Sequence, residues 1–513
     1  MTDRHELTRH SAVALRALLQ AREISAVELL DACIARIESL NPYVNAITAT
    51  SFERARLEAR AADAAFARSA VLGPLHGLPI AIKDLEETEG ILTTYGSPLY
   101  RANVPARDNT LVRRLRAAGA IVVGKTNVPE LGAGANSFNP VWGATGNPFD
   151  PRLNAGGSSG GSAAALALDM VPLASGSDTG GSLRIPAAKC GVVGLRTSPG
   201  LVPSDRKPLG WTPIAVVGPM GRNVEDTWLQ LAATVGQSDS DPLGYPFTMT
   251  PTMDGRALTN LSKLRIGYTE DFGVCEVDDE IRAVFRRKIE FLRGHVAVCE
   301  PVEVDFEGAH RCFDVLRAEA FVAGLQKAYE TNPELLGPNP RANYEMGIGM
   351  GLADCVRAHA DQTRLFRHFQ TLFDRYDLIL SPTTPVSPFP WTQPYLKSVN
   401  GVELENYYRW LALTYVVTLA TNPALSLPCG VDHRGMPFGL QMIGAFRGDL
   451  TLLDAARAFE TLFASSDETR RPIPDAAKLR TSDVNLKSIV THPPVFDAVA
   501  PSNNSASSST SAV

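Results

Sequence analysis

The chain has 513 residues, which allows three domains of about 150 residues or one unusually large domain. Apolar residues make up 44% and charged residues 20% of the sequence, and this globular composition excludes a largely disordered protein. The formal net charge of −6 leaves no basic excess to neutralise a phosphate backbone, which excludes nucleic acid as the main partner.

Cysteine usage and hydropathy indicate a cytoplasmic protein. The seven cysteines are scattered and form no C-x-x-C pair and no Cys/His cluster, which argues against a disulfide framework and a structural zinc site. The N-terminus carries charged residues where a signal peptide needs an apolar run. The longest candidate for a membrane span, residues 410–420, is far shorter than the roughly 18 residues required.

The first 70 residues are predicted to be helical. Ser25 and Glu28 form an S-x-x-E capping box at the start of one helix. Apolar residues follow at helical spacing, at positions 29, 30, 33, 34 and 37. Residues 51–70 are rich in Ala, Arg and Glu and predict a second helix.

From Gly77 onwards, short apolar strands alternate with helices. Residues 77–83 predict a strand that ends at Lys83, residues 110–118 a helix, and residues 120–123 a second strand. Further strands are predicted at residues 171–174, 264–268, 296–304, 378–380 and 425–428. Helices are predicted between many of them, at residues 225–235, 279–295, 361–375 and 451–463. This alternation is typical of a layered α/β fold with a largely parallel sheet.

No break in composition divides the chain before residue 480. We therefore expect a single domain over residues 1–480, with a helical N-terminal part at residues 1–70 and a core with the chemical motifs at residues 71–200. Residues 481–513 form a C-terminal extension. Its Ser- and Asn-rich end, residues 501–513, is predicted to be disordered.

Two motif matches fail in their sequence context. Residues 119–126 read G-A-I-V-V-G-K-T and match a phosphate-binding loop, but Ala-Ile-Val-Val is a strand sequence, so we interpret them as a buried strand. Residues 156–160 match the G-x-S-x-G motif of α/β-hydrolases. The residues before them are typical of turns, whereas that motif must follow a buried strand.

Residues 156–186 contain two Gly/Ser-rich loops on either side of an Ala/Leu helix and a short strand. Glycines at this density cost backbone entropy. The Gly/Ser-rich loops alternate with apolar segments too closely to form a flexible linker. We expect rigid loops whose backbone N–H groups converge on an anionic group.

This segment, G-G-S-S-G-G-S followed by D-x-G-G-S-L-R-x-P, closely resembles the amidase signature family of serine hydrolases, which cleave carboxamides. The upstream P-I-A-I-K-D and the downstream S-P-T-T-P and P-F-G-L-Q-M-I-G belong to the same pattern. The resemblance extends from about residue 29 to residue 463. It implies a large α/β domain in which helices cover both faces of a mixed sheet, and it implies no metal and no cofactor.

The resemblance also implies a Ser-Ser-Lys triad, in which Ser182 is the nucleophile, Ser158 the bridging serine and Lys83 the base. It implies a cis peptide bond between Gly157 and Ser158. A lysine can take a proton from a serine only when it is neutral, so its pKa of about 10.4 must fall by several units. Burial at the end of a strand, under Gly-rich loops, would lower it in this way.

The loop around the predicted nucleophile has two further roles by resemblance. The oxyanion hole would consist of the backbone N–H groups of Thr179, Gly180, Gly181 and Ser182. Asp178 and Arg184 flank the same loop, where they would brace it or form an ordinary salt bridge.

The predicted function is hydrolysis of a carboxamide, of an aryl or alkyl type, to an acid and ammonia or an amine. Three alternatives stay open: the glutaminase subunit of a tRNA-dependent amidotransferase, a hydrolase of anilides, carbamates, esters or cyclic amides, and a non-catalytic binding protein of the family. The partner is then a small amide molecule, with no nucleic acid and no membrane, and a homodimer is left open.

Three segments with rigid aromatic residues predict an apolar substrate. They lie at residues 131–142, 209–217 and 385–396, and the pocket residues expected from them are Gly134, Phe138, Trp211 and Trp391. The alternative is that these aromatic side chains only pack the core.

Overall fold

Strands and helices alternate along the chain in the computed structural model, which describes residues 4–68 and 72–496. The strands within these ranges are β1 (Ile47–Thr50), β2 (Pro79–Lys83), β3 (Ile121–Thr126), β4 (Phe138–Asn139), β5 (Gly143–Ala144), β6 (Leu173–Asp178), β7 (Val193–Arg196), β8 (Val216–Gly221), β9 (Arg265–Tyr268), β10 (Val298–Pro301), β11 (Leu378–Pro382), β12 (Ser398–Val399), β13 (Val402–Glu403), β14 (Ala424–Val431) and β15 (Pro437–Ile443). The helices are α1 (Arg4–Leu7), α2 (Ala12–Ala21), α3 (Ala26–Val44), α4 (Phe52–Ala67), α5 (Thr110–Ala117), α6 (Gly160–Ala167), α7 (Arg184–Cys190), α8 (Val224–Ala232), α9 (Asp279–Arg293), α10 (Ala309–Thr331), α11 (Pro338–Ile348), α12 (Leu352–Thr371), α13 (Ala412–Leu419), α14 (Asp449–Ala464) and α15 (Ala476–Leu479).

Eleven strands form one mixed sheet flanked by helices, in the order β1-β3-β2-β6-β8-β7-β14-β15-β11-β9-β10. The α/β class and the mixed sheet are confirmed, but the prediction of a largely parallel sheet is wrong. Among the described strands, only the pairs β2–β3, β2–β6, β9–β10 and β9–β11 are parallel. The strands β7 and β8, and likewise β14 and β15, follow each other without an intervening helix, and parallel pairing requires such a crossover.

Local predictions in the N-terminal third agree with the structure. Ser25 Oγ accepts a hydrogen bond from the Glu28 amide at 3.1 Å, and the Glu28 carboxylate accepts one from the Ser25 amide at 2.9 Å, so the capping box is formed. The helix predicted at residues 51–70 runs over Phe52–Ala67, and residues 69–71 lie outside the described ranges. The Ala-Ile-Val-Val stretch lies at the start of β3 and is buried, which confirms that the G-x-x-x-x-G-K-T match is a strand.

Residues 481–496, the described part of the predicted C-terminal extension, contact the preceding chain. Leu486 is buried against Ala144 and Trp391, and its carbonyl oxygen accepts a hydrogen bond from the Ala144 amide at 2.7 Å. The backbone amides of Thr491 and His492 both donate to the carbonyl of Pro140 at 3.0 Å. The end predicted to be disordered lies outside the described residues. Within the described ranges, no helix has both the length and the hydrophobicity that a membrane crossing requires.

The two Gly/Ser-rich loops meet at one edge of the sheet. The first loop leads into α6, a helix whose eight residues are all buried, and the second lies between β6 and α7. Because β2 and β6 are adjacent parallel strands, their C-terminal ends bring Lys83 and Asp178 to this edge together.

Candidate active site

Lys83 is the last residue of β2, and its side chain is fully buried between the two loops. Its backbone amide donates a hydrogen bond to Ser175 Oγ on the neighbouring strand at 2.9 Å. Its Nζ lies 2.8 Å from Ser158 Oγ, 2.7 Å from Ser159 Oγ and 3.0 Å from Ser177 Oγ. The site therefore surrounds one buried amine with three hydroxyl groups.

Burial lowers the pKa of Lys83 to about 7, because the ammonium form loses hydration in the interior. The positive charge of Arg206 lowers the pKa further, whereas Glu86 and Asp178 oppose the shift. A substantial fraction of Lys83 is thus neutral at neutral pH. In that form the nitrogen has a lone pair that can accept the proton of an adjacent hydroxyl.

The loop that holds Ser158 is fixed by close packing against the second motif. Gly156 has a φ of +78°, and a Cβ atom there would lie 2.8 Å from Cα of Pro186, so only glycine fits. The peptide bond between Gly157 and Ser158 is cis, as the resemblance implies. Asn154 Oδ1 also supports this loop, because it accepts hydrogen bonds from the Gly156 amide and from the buried Lys189, both at 3.1 Å.

Asp178 holds the second loop through both backbone and side-chain contacts. Its carboxylate accepts hydrogen bonds from the amides of Gly181 at 2.9 Å and Leu183 at 3.1 Å. The guanidinium of Arg184 contacts both of its oxygens, at 2.9 and 3.1 Å, and Arg196 lies 3.3 Å away. Asp178 and Arg184 therefore form a buried salt bridge that also braces the loop.

The ionisation of Asp178 follows from these contacts. Burial by itself raises the pKa of this carboxyl, but the charges of Arg184 and Arg196 and the hydrogen bonds hold it well below its usual range. The carboxylate is consequently charged at neutral pH. It keeps the amides of Gly181 and Leu183 oriented inward.

Ser182 follows this loop and is half-buried. Its hydroxyl makes no hydrogen bond with a described side chain or backbone group, so the group is free to face a substrate. The amide of Gly181, which the resemblance places in the oxyanion hole, is already engaged by Asp178. The role of the Gly181 amide in an oxyanion hole stays a prediction, and this hydrogen bond makes the amide less available to an oxyanion. The amides of Thr179, Gly180 and Ser182 are the predicted donors that Asp178 does not engage.

Ser158 and Ser182 line one cavity of about 490 Å³, here called the Ser182 cavity. Its volume lies in the range of small-molecule sites. The apolar and aromatic side chains that line it include Leu85, Tyr95, Tyr100, Leu131, Phe321 and Leu325. Charged side chains are contributed by Glu87, Arg206, Lys207 and Arg317.

The four predicted pocket residues lie elsewhere, and none lines the Ser182 cavity. Trp211 is 78% exposed at the surface, although its loop neighbours Lys207, Pro208 and Thr212 reach the cavity. Trp391 packs against Ala144 and Leu486.

The other two predicted pocket residues follow Leu131 and Gly132 in the sequence. Leu131 and Gly132 do line the Ser182 cavity. Phe138 lines a separate cavity together with Pro140 and Tyr407. Gly134 faces the side chain of Asn339. Two of the three predicted segments therefore contribute residues to the Ser182 cavity, but none of the four predicted pocket residues lines it.

Sequence reasoning missed two side chains that contact Lys83. Ser159 and Ser177 are each adjacent to a residue that the motifs single out, namely Ser158 and Asp178. The signal in the sequence that could have identified them is that each is a serine directly beside a motif residue, in S-S-G and in S-D-T. Only the folded strand β6 shows that Ser177 points toward Lys83. Among the described residues, no three His, Cys, Asp or Glu side chains lie close enough together to hold a metal ion.

Comparison with known proteins identifies relatives along most of the chain. The amidase family model matches residues 28–453. A glutamyl-tRNA(Gln) amidotransferase subunit from Moorella thermoacetica is 36% identical over 493 residues, which cover 91% of this chain and 99% of that protein. An acylamidase from Rhodococcus erythropolis is 32% identical over 474 residues, which cover 89% of this chain and 96% of that protein.

The fold agrees with these relatives. The crystal structure of a bacterial aryl acylamidase of the amidase signature family matches with a TM-score of 0.82 at 27% identity, covering 88% of this chain and 96% of that one. Fold, sequence and the arrangement of the two glycine-rich loops lead to the same assignment. The chain belongs to the amidase signature family and is an amide-hydrolysing enzyme.

Proposed function

We propose that the chain hydrolyses carboxamides through Ser182 as nucleophile, Ser158 as proton relay and Lys83 as base. The observation that carries this proposal is the 2.8 Å contact between Lys83 Nζ and Ser158 Oγ, in a buried site where the pKa of the lysine falls to about 7. A base needs this combination of hydrogen-bond reach and a pKa near the working pH.

The proposed reaction begins with attack of Ser182 Oγ on the amide carbonyl carbon. The proton of Ser182 passes to Ser158, whose own proton passes to neutral Lys83, and the carbonyl oxygen becomes an oxyanion. The amides of Thr179, Gly180 and Ser182 would stabilise this charge, with about 3 kcal/mol for a well-aimed donor.

Collapse of the tetrahedral intermediate then breaks the C–N bond. The leaving nitrogen takes a proton from Ser158, which recovers one from Lys83, so ammonia or an amine departs and an acyl-enzyme remains. A water molecule attacks the ester carbonyl and returns its proton along the same path. Release of the acid restores Ser182 and neutral Lys83.

A fluorophosphonate probe tests the nucleophile directly. The wild-type chain is expected to bind one probe molecule covalently at Ser182, and Ser182→Ala is expected to lose both labelling and turnover. Ser204→Ala is a matched control, because Ser204 is a serine outside the Ser182 cavity. Labelling of a different serine in Ser182→Ala would exclude this assignment.

We further propose that the substrate carries a substantial apolar or aromatic group. Tyr95 and Tyr100 are stacked edge to face with ring centres 4.9 Å apart, and Leu131, Phe321 and Leu325 line the same cavity. Each methylene that a substrate buries among such side chains contributes about 0.8 kcal/mol. This apolar lining supports an aryl or long alkyl amide rather than a small polar one.

A series of primary amides of increasing chain length, ending in an anilide, tests the substrate class. The value of kcat/KM should rise with each added carbon, and Phe321→Ala should flatten the series while hydrolysis of acetamide is retained. If kcat/KM is highest for acetamide and falls with every added carbon, the apolar substrate class is wrong.

The second candidate is the glutaminase role, which the 36% identical amidotransferase relative favours. Glu87 and Arg206 place charges of both signs in the Ser182 cavity, as a zwitterionic amino acid would require. Hydrolysis of glutamine and of an aryl amide by the purified chain separates the two roles. Glutamine as the better substrate by kcat/KM would favour the glutaminase.

We also propose a cytoplasmic location. All seven cysteines are unpaired thiols in the structure, as expected in a reducing compartment. Fractionation of cells that produce the protein should recover it with the cytoplasm, and recovery from the periplasm or the medium would contradict the proposal.

A further inference from the structure

A second cavity, of about 870 Å³, lies apart from the Ser182 cavity and shares no lining residue with it. Four distant parts of the chain form it, within residues 9–36, 167–169, 222–223 and 427–480. Six arginines line this cavity, here called the arginine cavity: Arg9, Arg36, Arg222, Arg470, Arg471 and Arg480.

Acidic side chains neutralise only some of these arginines. Three carboxylates line the same cavity, and Asp467 pairs with Arg470 from outside the lining, so the six arginines still outnumber these four carboxylates by two within a protein of net charge −6. One of the lining carboxylates pairs with an arginine of the cavity, and the other two accept hydrogen bonds from backbone amides. Asp169 pairs with Arg222 at 2.6 Å, Asp475 accepts the Ala477 amide at 2.8 Å, and Glu460 accepts the Val224 amide at 3.2 Å.

Neutral groups hold several of the arginines in position. Arg36 Nε donates to the Leu168 carbonyl at 2.8 Å, and Arg471 Nε donates to the Gly191 carbonyl at 2.7 Å. Arg471 Nη2 is buried and has no acceptor within the described part of the chain. Such contacts orient the guanidinium groups without cancelling their charge, so N–H donors stay available for a ligand.

The arginines disfavour one another's charge. Burial lowers the pKa of Arg36; Asp169 opposes this shift, and the nearby charges of Arg480 and Arg9 lower the pKa further. Burial also lowers the pKa of Arg471, where Arg222 acts in the same direction. An anion placed among these groups would remove this repulsion.

We propose that the arginine cavity binds a phosphorylated small molecule with at least two negative charges. Guanidinium forks match the oxygens of phosphate groups in paired hydrogen bonds, and several of them converge here. The site is a cavity of small-molecule size rather than an extended basic stripe, which a nucleic acid backbone would need.

The site is separate from the proposed chemistry. Helix α6 nevertheless connects the two regions, because it starts just after Ser158 and Ser159 and ends at Ala167, which lines the arginine cavity. Binding there requires none of the residues assigned to amide hydrolysis. Failure of this proposal would therefore leave the proposed hydrolysis untouched.

Isothermal titration calorimetry of the full chain at low ionic strength tests the ligand class. Pyrophosphate is the probe for the phosphate group, citrate for a polycarboxylate, and a short single-stranded RNA for a nucleic acid. We expect saturable binding of pyrophosphate with one site per chain. No binding of pyrophosphate, or tighter binding of citrate or of the RNA, would overturn the proposal.

Substitutions locate the site. Arg9 and Arg480 are exposed at the rim, so the double variant Arg9→Gln/Arg480→Gln should fold normally and weaken pyrophosphate binding about tenfold or more. Arg287→Gln, an exposed arginine of α9 outside the cavity, should bind like the wild type. Both variants should keep amide hydrolysis. Equal affinity in the rim variant and the wild type would show that pyrophosphate binds elsewhere and would refute the assignment.

Discussion

Lys83 Nζ lies 2.8 Å from Ser158 Oγ, although 75 residues separate them in the chain. The contact is buried, and Ser158 also lines the Ser182 cavity, so it lies between the buried amine and the space open to a substrate. This arrangement makes the protonation of Lys83 the first property to test.

The rate of hydrolysis should depend on pH through Lys83. Below the pKa of about 7 the lysine is protonated and cannot act as a base, so kcat/KM should fall about tenfold per pH unit. Above that pKa it should reach a plateau. Lys83→Met should lose most activity over the whole range. Lys263→Met should keep the wild-type profile, because Lys263 is exposed and lies outside the Ser182 cavity. A profile without an acidic limb in the wild type would contradict Lys83 as the base.

Ser177→Ala should shift that acidic limb to lower pH. Ser177 Oγ accepts a hydrogen bond from Lys83 Nζ at 3.0 Å and thereby stabilises the ammonium form. Its loss should lower the pKa of Lys83. Ser175→Ala is the matched control on the same strand, since Ser175 Oγ contacts the backbone amide of Lys83 and not the amine. An unchanged limb in Ser177→Ala would show that this hydroxyl does not tune the base.

Gly181→Ala should abolish activity by displacing the loop before Ser182. A Cβ atom at Gly181 would lie 2.2 Å from Thr414 Oγ1 and 2.7 Å from Ile185 Cδ1, and φ is +118°. Gly435→Ala is the control, because Gly435 also has a positive φ of +74° but no atom within 4 Å of the added Cβ. Because both glycines have a positive φ, a larger loss of kcat in Gly181→Ala than in Gly435→Ala reports the steric clash of the added Cβ atom in addition to backbone strain. Full activity of Gly181→Ala would mean that the loop has room to move.

Asp178→Asn should destabilise the protein by about 3–5 kcal/mol, because it leaves Arg184 and Arg196 buried without their carboxylate. A fall in the urea midpoint of unfolding measures this effect. Glu53→Gln removes an exposed partner of Arg56 and should cost at most about 1 kcal/mol. Equal midpoints for the two variants would exclude Asp178 as the main brace.

Local sequence predicted those features in which neighbours along the chain interact. The capping box of Ser25 and Glu28 depends on hydrogen bonds between residues three positions apart, and it forms as expected. The glycines of the two loops and the lysine at the end of β2 could likewise be predicted from the sequence, because the backbone geometry that they need is local. Lys83 and Ser158, picked out by motif, do lie together, and Ser182 lines the same cavity as Ser158.

Only the tertiary structure decided which distant groups meet. The antiparallel pairing of β14 with β7 joins strands that lie far apart in the chain, so no local pattern determined its direction. Trp211 and Phe321 are both large and apolar, yet one is exposed and the other lines the Ser182 cavity. Hydrophobicity favours burial without specifying a partner. The partner is determined by packing among elements far apart in the chain, and this is why the aromatic pocket residues were misplaced while the motif residues were not.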